Sequence, residues 1–158
     1  SLALRGGANG HFPGEEEVSS VVRLSQKLNE ANFEAVNSTA GKMGDWLLTK
    51  GFDGYSVPDG LAGVGVGGCA LTKNDVTPVA VLLLDAGDRR AAIFPCSSSE
   101  LDLPEDGSWH VYDLPAGQGL PRLAVGASAA KGVCFVVSGR ESAAQLGEWL
   151  RDAKPAAR

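Results

Sequence analysis

Histidine, methionine and cysteine are scarce in this chain, with two, one and three copies. That shortage removes most ways of holding a transition metal. His11 and His110 each stand without a second ligand at helical or turn spacing. Cys69, Cys96 and Cys134 form no C-x-x-C pair. No metal and no cofactor is expected. Basic residues are also short, 14 Lys and Arg against 19 Asp and Glu, for a net charge of -5. Phosphate backbones need clustered cations, and the nearest approach is Arg89-Arg90 or the terminal Arg151, Lys154 and Arg158. Nucleic acid is not an expected partner. Long apolar runs are missing too. The longest, 79–84, is a strand length, far from the roughly 18 residues of a membrane span.

Catalytic signatures are equally absent. No G-x-S-x-G elbow occurs. The glycines between Gly63 and Gly68 alternate within a strand-like segment followed by another strand. A dinucleotide fingerprint instead opens a helix, so these glycines mark a bulge or a close backbone approach. Asp102, Glu105 and Asp106 fall in a polar loop, and Asp85 and Asp88 flank a turn. Solvated loop charge is the plain reading, and no catalytic residue is assigned.

What is present is the composition of a globular domain: 158 residues, 44% hydrophobic and 21% charged, enough for one domain with a core. Residues 1–14 read as a flexible lead-in and 15–158 as a single domain. The chain opens without Met and lacks the charged-then-apolar order of a signal peptide, so it is expected to be an excised part of a longer parent. Helices are expected at about 15–30, 40–50 and 141–154. Glu15, Glu16 and Glu17 open the first, and Val18, Val21, Val22, Leu24 and Leu28 give it a narrow apolar stripe interrupted by Ser25 and Gln26. It should pack on the sheet, a stalk or dimer contact being the alternative. Asn37-Ser38-Thr39 reads as a turn capping the second helix, which Gly51 ends. Ser138 or Gly139 should begin the third.

Strands are expected at about 61–72, 79–84, 90–94, 109–112, 122–128 and 133–138. The run 79–84 lacks polar alternation, which predicts cover on both faces and an interior position. The turns at 85–88 and 129–132 are too short for parallel crossovers. The fold class is therefore α+β, an antiparallel sheet of about five strands in hairpins with helices packed on one face.

Two surface features stand out. Trp109, His110 and Tyr112 lie on a strand expected at a wet edge beside the loops 97–107 and 114–121, making them the candidate interaction surface. Cys96, between Pro95 and three serines, is the candidate accessible thiol, and Cys134 is expected to be buried and inert. A Cys69–Cys96 bridge is open to a chain living outside the cytosol.

Residues 43–152 carry a further pattern: Trp46-Leu47 before Phe52, Pro58-Asp59-Gly60-Leu61, Gly67-Gly68, the run 78–84, the strand 91–94, and 132–138 followed by Leu146. This resembles the extracytoplasmic domain of bacterial transmembrane anti-sigma factors. The resemblance implies an outer sensing domain joined by one membrane span to a cytoplasmic zinc-binding segment that holds a sigma factor. This chain contains neither the span nor the zinc pattern, and Cys69 stands where that family often shows Arg. No site residue carries over. The expected function is a non-enzymatic sensor or interaction domain on the extracytoplasmic side of a membrane-anchored transcriptional regulator. Its partner would be a protein or protease at the cell envelope, with a homodimer open and the membrane reached only through a segment outside this chain. The alternatives are a small-ligand-binding or enzymatic domain with a dispersed pocket, a structural oligomerisation module, and a cytoplasmic location.

Overall fold

The unbroken apolar run 79–84 dictates the architecture, because a strand with no polar side must be covered twice. The computed structural model describes residues 14–52, 57–96 and 108–152, together with the backbone of 3–4. The loop 97–107, His11 and the remainder of the lead-in, and the end of the last expected helix lie outside the described residues.

In chain order the elements are β1 (Ala3–Leu4), α1 (Glu15–Lys27), β2 (Glu34–Thr39), α2 (Gly44–Thr49), β3 (Gly65–Asn74), β4 (Thr77–Leu84), β5 (Arg90–Pro95), β6 (His110–Leu114), β7 (Leu123–Ala130), β8 (Val133–Gly139) and α3 (Ala143–Asp152). The strands form one eight-stranded sheet in the order β1-β6-β7-β8-β5-β4-β3-β2. Seven of them pair antiparallel, and the two-residue β1 joins the β6 edge in parallel. The protein is α+β, with more strands than the five expected. Two meanders, β2 to β5 and β6 to β8, meet where β5 pairs β8. The run 79–84 lies in β4, between β3 and β5, interior as the sequence predicts.

Side-chain alternation along β4 explains the layers. Val79 and Val81 join Val18, Val21 and Val22 of α1, along with Phe94, Val125 and Val136. Ala80, Leu82 and Leu84 join Leu47 of α2 and Leu146 and Leu150 of α3. Helices thus cover both faces, which corrects the single-faced arrangement expected from sequence. A one-sided cover would leave Val81, Phe94 and Val136 in water, and each such side chain stabilises by about 1.5–3 kcal/mol when buried. The first helix does pack on the sheet.

Local chemistry sets the ends. Lys131 (φ 55°) and Gly132 (φ 78°) form the two-residue turn between β7 and β8, as a primed hairpin turn requires. Phe52 N donates to Leu47 O at 3.0 Å past Gly51 at φ 89°, the glycine-capped helix end the sequence announces. At α3, Ser142 Oγ accepts from Gln145 N and Gln145 Oε1 accepts from Ser142 N. This capping box, not Ser138 or Gly139, starts the helix.

The segment Asn37-Ser38-Thr39 is a second correction. It belongs to β2, an edge strand that pairs β3 with a register break between Ala35 and Ser38. The glycines behave as expected. The β3–β4 register shifts between Val66 and Gly68, and a Cβ on Gly68 would come within 2.9 Å of Leu83 Cδ1.

Candidate functional site

The strand at the centre of the expected surface is covered, while residues 115–119 of the loop that follows it are exposed. His110 and Tyr112 are buried, at 7% and 4% exposure: β1 pairs with the first two residues of β6, His110 and Val111, and α1 packs in the same cluster as Tyr112 and Leu114. Tyr112 Oη shares a 2.9 Å hydrogen bond with Ser19 Oγ of α1. Burial pushes its hydroxyl far above the ordinary tyrosine range. Trp109 is half-buried and meets Phe135 edge-on, with ring centroids 6.3 Å apart. His110 and Tyr112 are packing elements, and Trp109 keeps part of its surface exposed.

The thiols also change roles. Cys96 is bonded to Cys134, with Cα atoms 5.9 Å apart. The physical cause is the β5–β8 register: Phe94 faces Cys134, and Cys96 N donates to Gly132 O at 2.8 Å, which brings the Cys96 side chain over β8. Cys96 is therefore not an accessible thiol, and its partner is Cys134 rather than Cys69. Cys69 is the buried free cysteine. Burial, then the Glu34 carboxylate 3.8 Å from its sulfur, raises its thiol above the ordinary range.

A polar cleft of about 300 Å³ opens at the sheet end where α1, the β4–β5 turn and the end of β8 converge. Its polar lining is Gln26, Glu30, Asp88, Arg89, Arg90 and Arg140. Three sequence features build it. Gln26, which breaks the apolar stripe of α1, donates from Nε2 to Ser138 Oγ at 2.8 Å. Gly87 (φ 68°) and Asp88 (φ 58°) turn the chain tightly enough to present Arg89 and Arg90 together. Arg140 follows β8 directly.

The arginines are not equivalent. Arg89 is consumed: it forks onto Glu141 at 2.6 and 2.7 Å, donates to Ala86 O and lies 4.2 Å from the Trp149 ring centroid. Arg90 donates through Nη1 to Ser25 O (2.6 Å) and Leu28 O (2.8 Å), where a cation suits a helix C-terminus. Its guanidinium also approaches the Phe33 ring at 5.1 Å. Partial burial and then the field of Arg140 lower its pKa, with Glu30 opposing. Among the described residues, the ion pairs are Arg89–Glu141 and Arg122–Asp113, so neither Arg90 nor Arg140 has a carboxylate at ion-pair distance.

From sequence, Arg89 and Arg90 point to no site beyond a weak approach to a nucleic-acid patch. The signal for the cleft is the Arg-Arg pair straight after a glycine turn, together with a polar break in the stripe of α1. Among the described residues, no group of three or more His, Cys, Asp or Glu side chains could hold a metal ion. Comparison of the chain with family models, curated proteins and solved structures finds no match.

Proposed function

We propose that this chain is a non-enzymatic sensor or interaction domain, the extracytoplasmic part of a membrane-anchored transcriptional regulator of the anti-sigma-factor type. The observation that carries the reading is the Cys96–Cys134 bond. Structural disulfides persist in oxidising compartments and are rare where thiol reductants circulate. The sequence resemblance over residues 43–152 supplies the regulator, and the disulfide supports its outer placement. The α+β fold suits such a role: a rigid sheet sandwiched by helices, with α1 and α3 on opposite faces. The partner in this reading is a protein or protease at the cell envelope. With β6 covered, the working surface moves to the cleft end of the sheet and its flanking turns.

The test is made in the full-length parent. Deleting residues 15–152 should change transcription of the genes it controls while the cytoplasmic segment is retained. Unchanged transcription across inducing and non-inducing conditions would remove the sensor role.

A further inference from the structure

The cleft holds two cations whose charge the described protein does not neutralise with an ion pair. Arg90 is anchored through Nη1 by two main-chain carbonyls. Those contacts fix the guanidinium plane in advance, so a ligand does not have to order it. Arg140 is exposed, lines the same cleft and is close enough for its charge to act on Arg90. Two like charges held in one cleft repel, and an anion between them relieves that repulsion. Contrast with Arg89 sharpens the point, since its charge is already spent on Glu141.

We propose that this cleft binds a small molecule through one oxyanion group, carboxylate or phosphate, held between Arg90 and Arg140 with the Gln26 amide alongside. Planar guanidinium forks match both groups. A volume of about 300 Å³ sits at the lower limit of ligand pockets, which selects a metabolite-sized ligand over a polymer. Glu30 and Asp88 are exposed and line the same cleft. Their negative charge offsets part of that of Arg90 and Arg140, which favours a singly charged group over a polyanion. The proposal deepens the sensor reading by naming what the domain takes up. The binding assay bears on the anion site alone, and a count of free thiols bears on the extracytoplasmic placement.

The experiment titrates the protein at low ionic strength with inorganic phosphate and, in a separate arm, with acetate, following the arginine side-chain N–H signals by NMR. Saturable shifts at Arg90 and Arg140, absent at Arg122 and Arg151, are expected from at least one anion, and the stronger arm identifies the preferred group. Arg140→Gln alters an exposed residue and should leave the fold intact while weakening binding by about tenfold or more, the loss of a charge-assisted contact. Arg90→Lys keeps the charge but removes the fork, and should weaken binding as well. The site is disproved by unsaturable shifts with both anions, by shifts spread equally over all arginines, or by unchanged affinity in a folded Arg140→Gln protein.

Discussion

Arg89 grips Glu141 with two parallel donors, Nε to Oε1 at 2.6 Å and Nη2 to Oε2 at 2.7 Å. The pair ties the β4–β5 turn to the residue just ahead of α3. Both side chains are mostly covered, at 12% and 17% exposure. Such a forked, shielded pair contributes more than an ordinary surface bridge. A double-mutant cycle with Arg89→Met and Glu141→Gln, read by urea unfolding, should return a coupling of about 1–2 kcal/mol. A coupling indistinguishable from zero would mean that the ion pair does not hold the turn, leaving its backbone geometry and the Arg89 contact with Ala86 O.

The covalent link should matter more. Cys96 and Cys134 close a loop of sequence separation 38, and such bonds stabilise by about 2–4 kcal/mol, chiefly by restricting the unfolded chain. Cys134→Ser, or reduction of the native protein, should lower the unfolding free energy by that amount. No change in the urea midpoint would show that the bond is not formed.

Close packing of α3 on the sheet supplies a third test. A Cβ on Gly126 would lie 2.6 Å from Leu150 Cδ1 and 3.6 Å from Trp109 Cε3. Leu150 is buried at 5% exposure and has little room to retreat. Gly126→Ala should therefore destabilise by about 1–3 kcal/mol through overpacking. At Gly65 the Cβ would meet the Asp85 carboxylate, whose residue is exposed and can swing away. Gly65→Ala should cost less. Equal costs at the two sites would contradict this account of the α3 contact.

High pH should unfold the protein early. The folded Tyr112 hydroxyl titrates above its unfolded value of about 10. The unfolded chain therefore loses its proton first, and stability is complete below that pH and declines above it, by up to about 1.4 kcal/mol per pH unit for one group. The raised Cys69 thiol acts in the same direction. Tyr112→Phe should flatten the alkaline decline while costing about 1 kcal/mol at neutral pH for the lost Ser19 contact. An alkaline slope identical in the variant would show that Tyr112 ionises freely in the folded state.

Much of the sheet is legible in the sequence because its signals are local. The turns at 85–88 and 129–132 and the apolar run 79–84 define hairpins without any distant information. β2 escapes this reading because an edge strand tolerates Asn37, Ser38 and Thr39, which also suit a cap. Burial of β6 depends on β1, contributed from more than a hundred residues away in the chain. The disulfide likewise depends on β5 pairing with β8, which are not consecutive strands. The cleft is the least legible part, since Gln26, Arg90 and Arg140 come from α1, from β5 and from the residue after β8. Each looks like an ordinary surface residue until the sheet assembles them.

The most direct test of extracytoplasmic placement is a thiol count on the protein isolated from its native cells, unfolded without reductant after free thiols are protected from air. Thiols are assigned to residues 1–158 by peptide mass, and with three cysteines there and two of them bonded, one free thiol remains in this segment, that of Cys69. A domain living in an oxidising compartment should give Cys69 as its single free thiol. Free thiols at Cys69, Cys96 and Cys134 alike would contradict both the bond and the placement that rests on it.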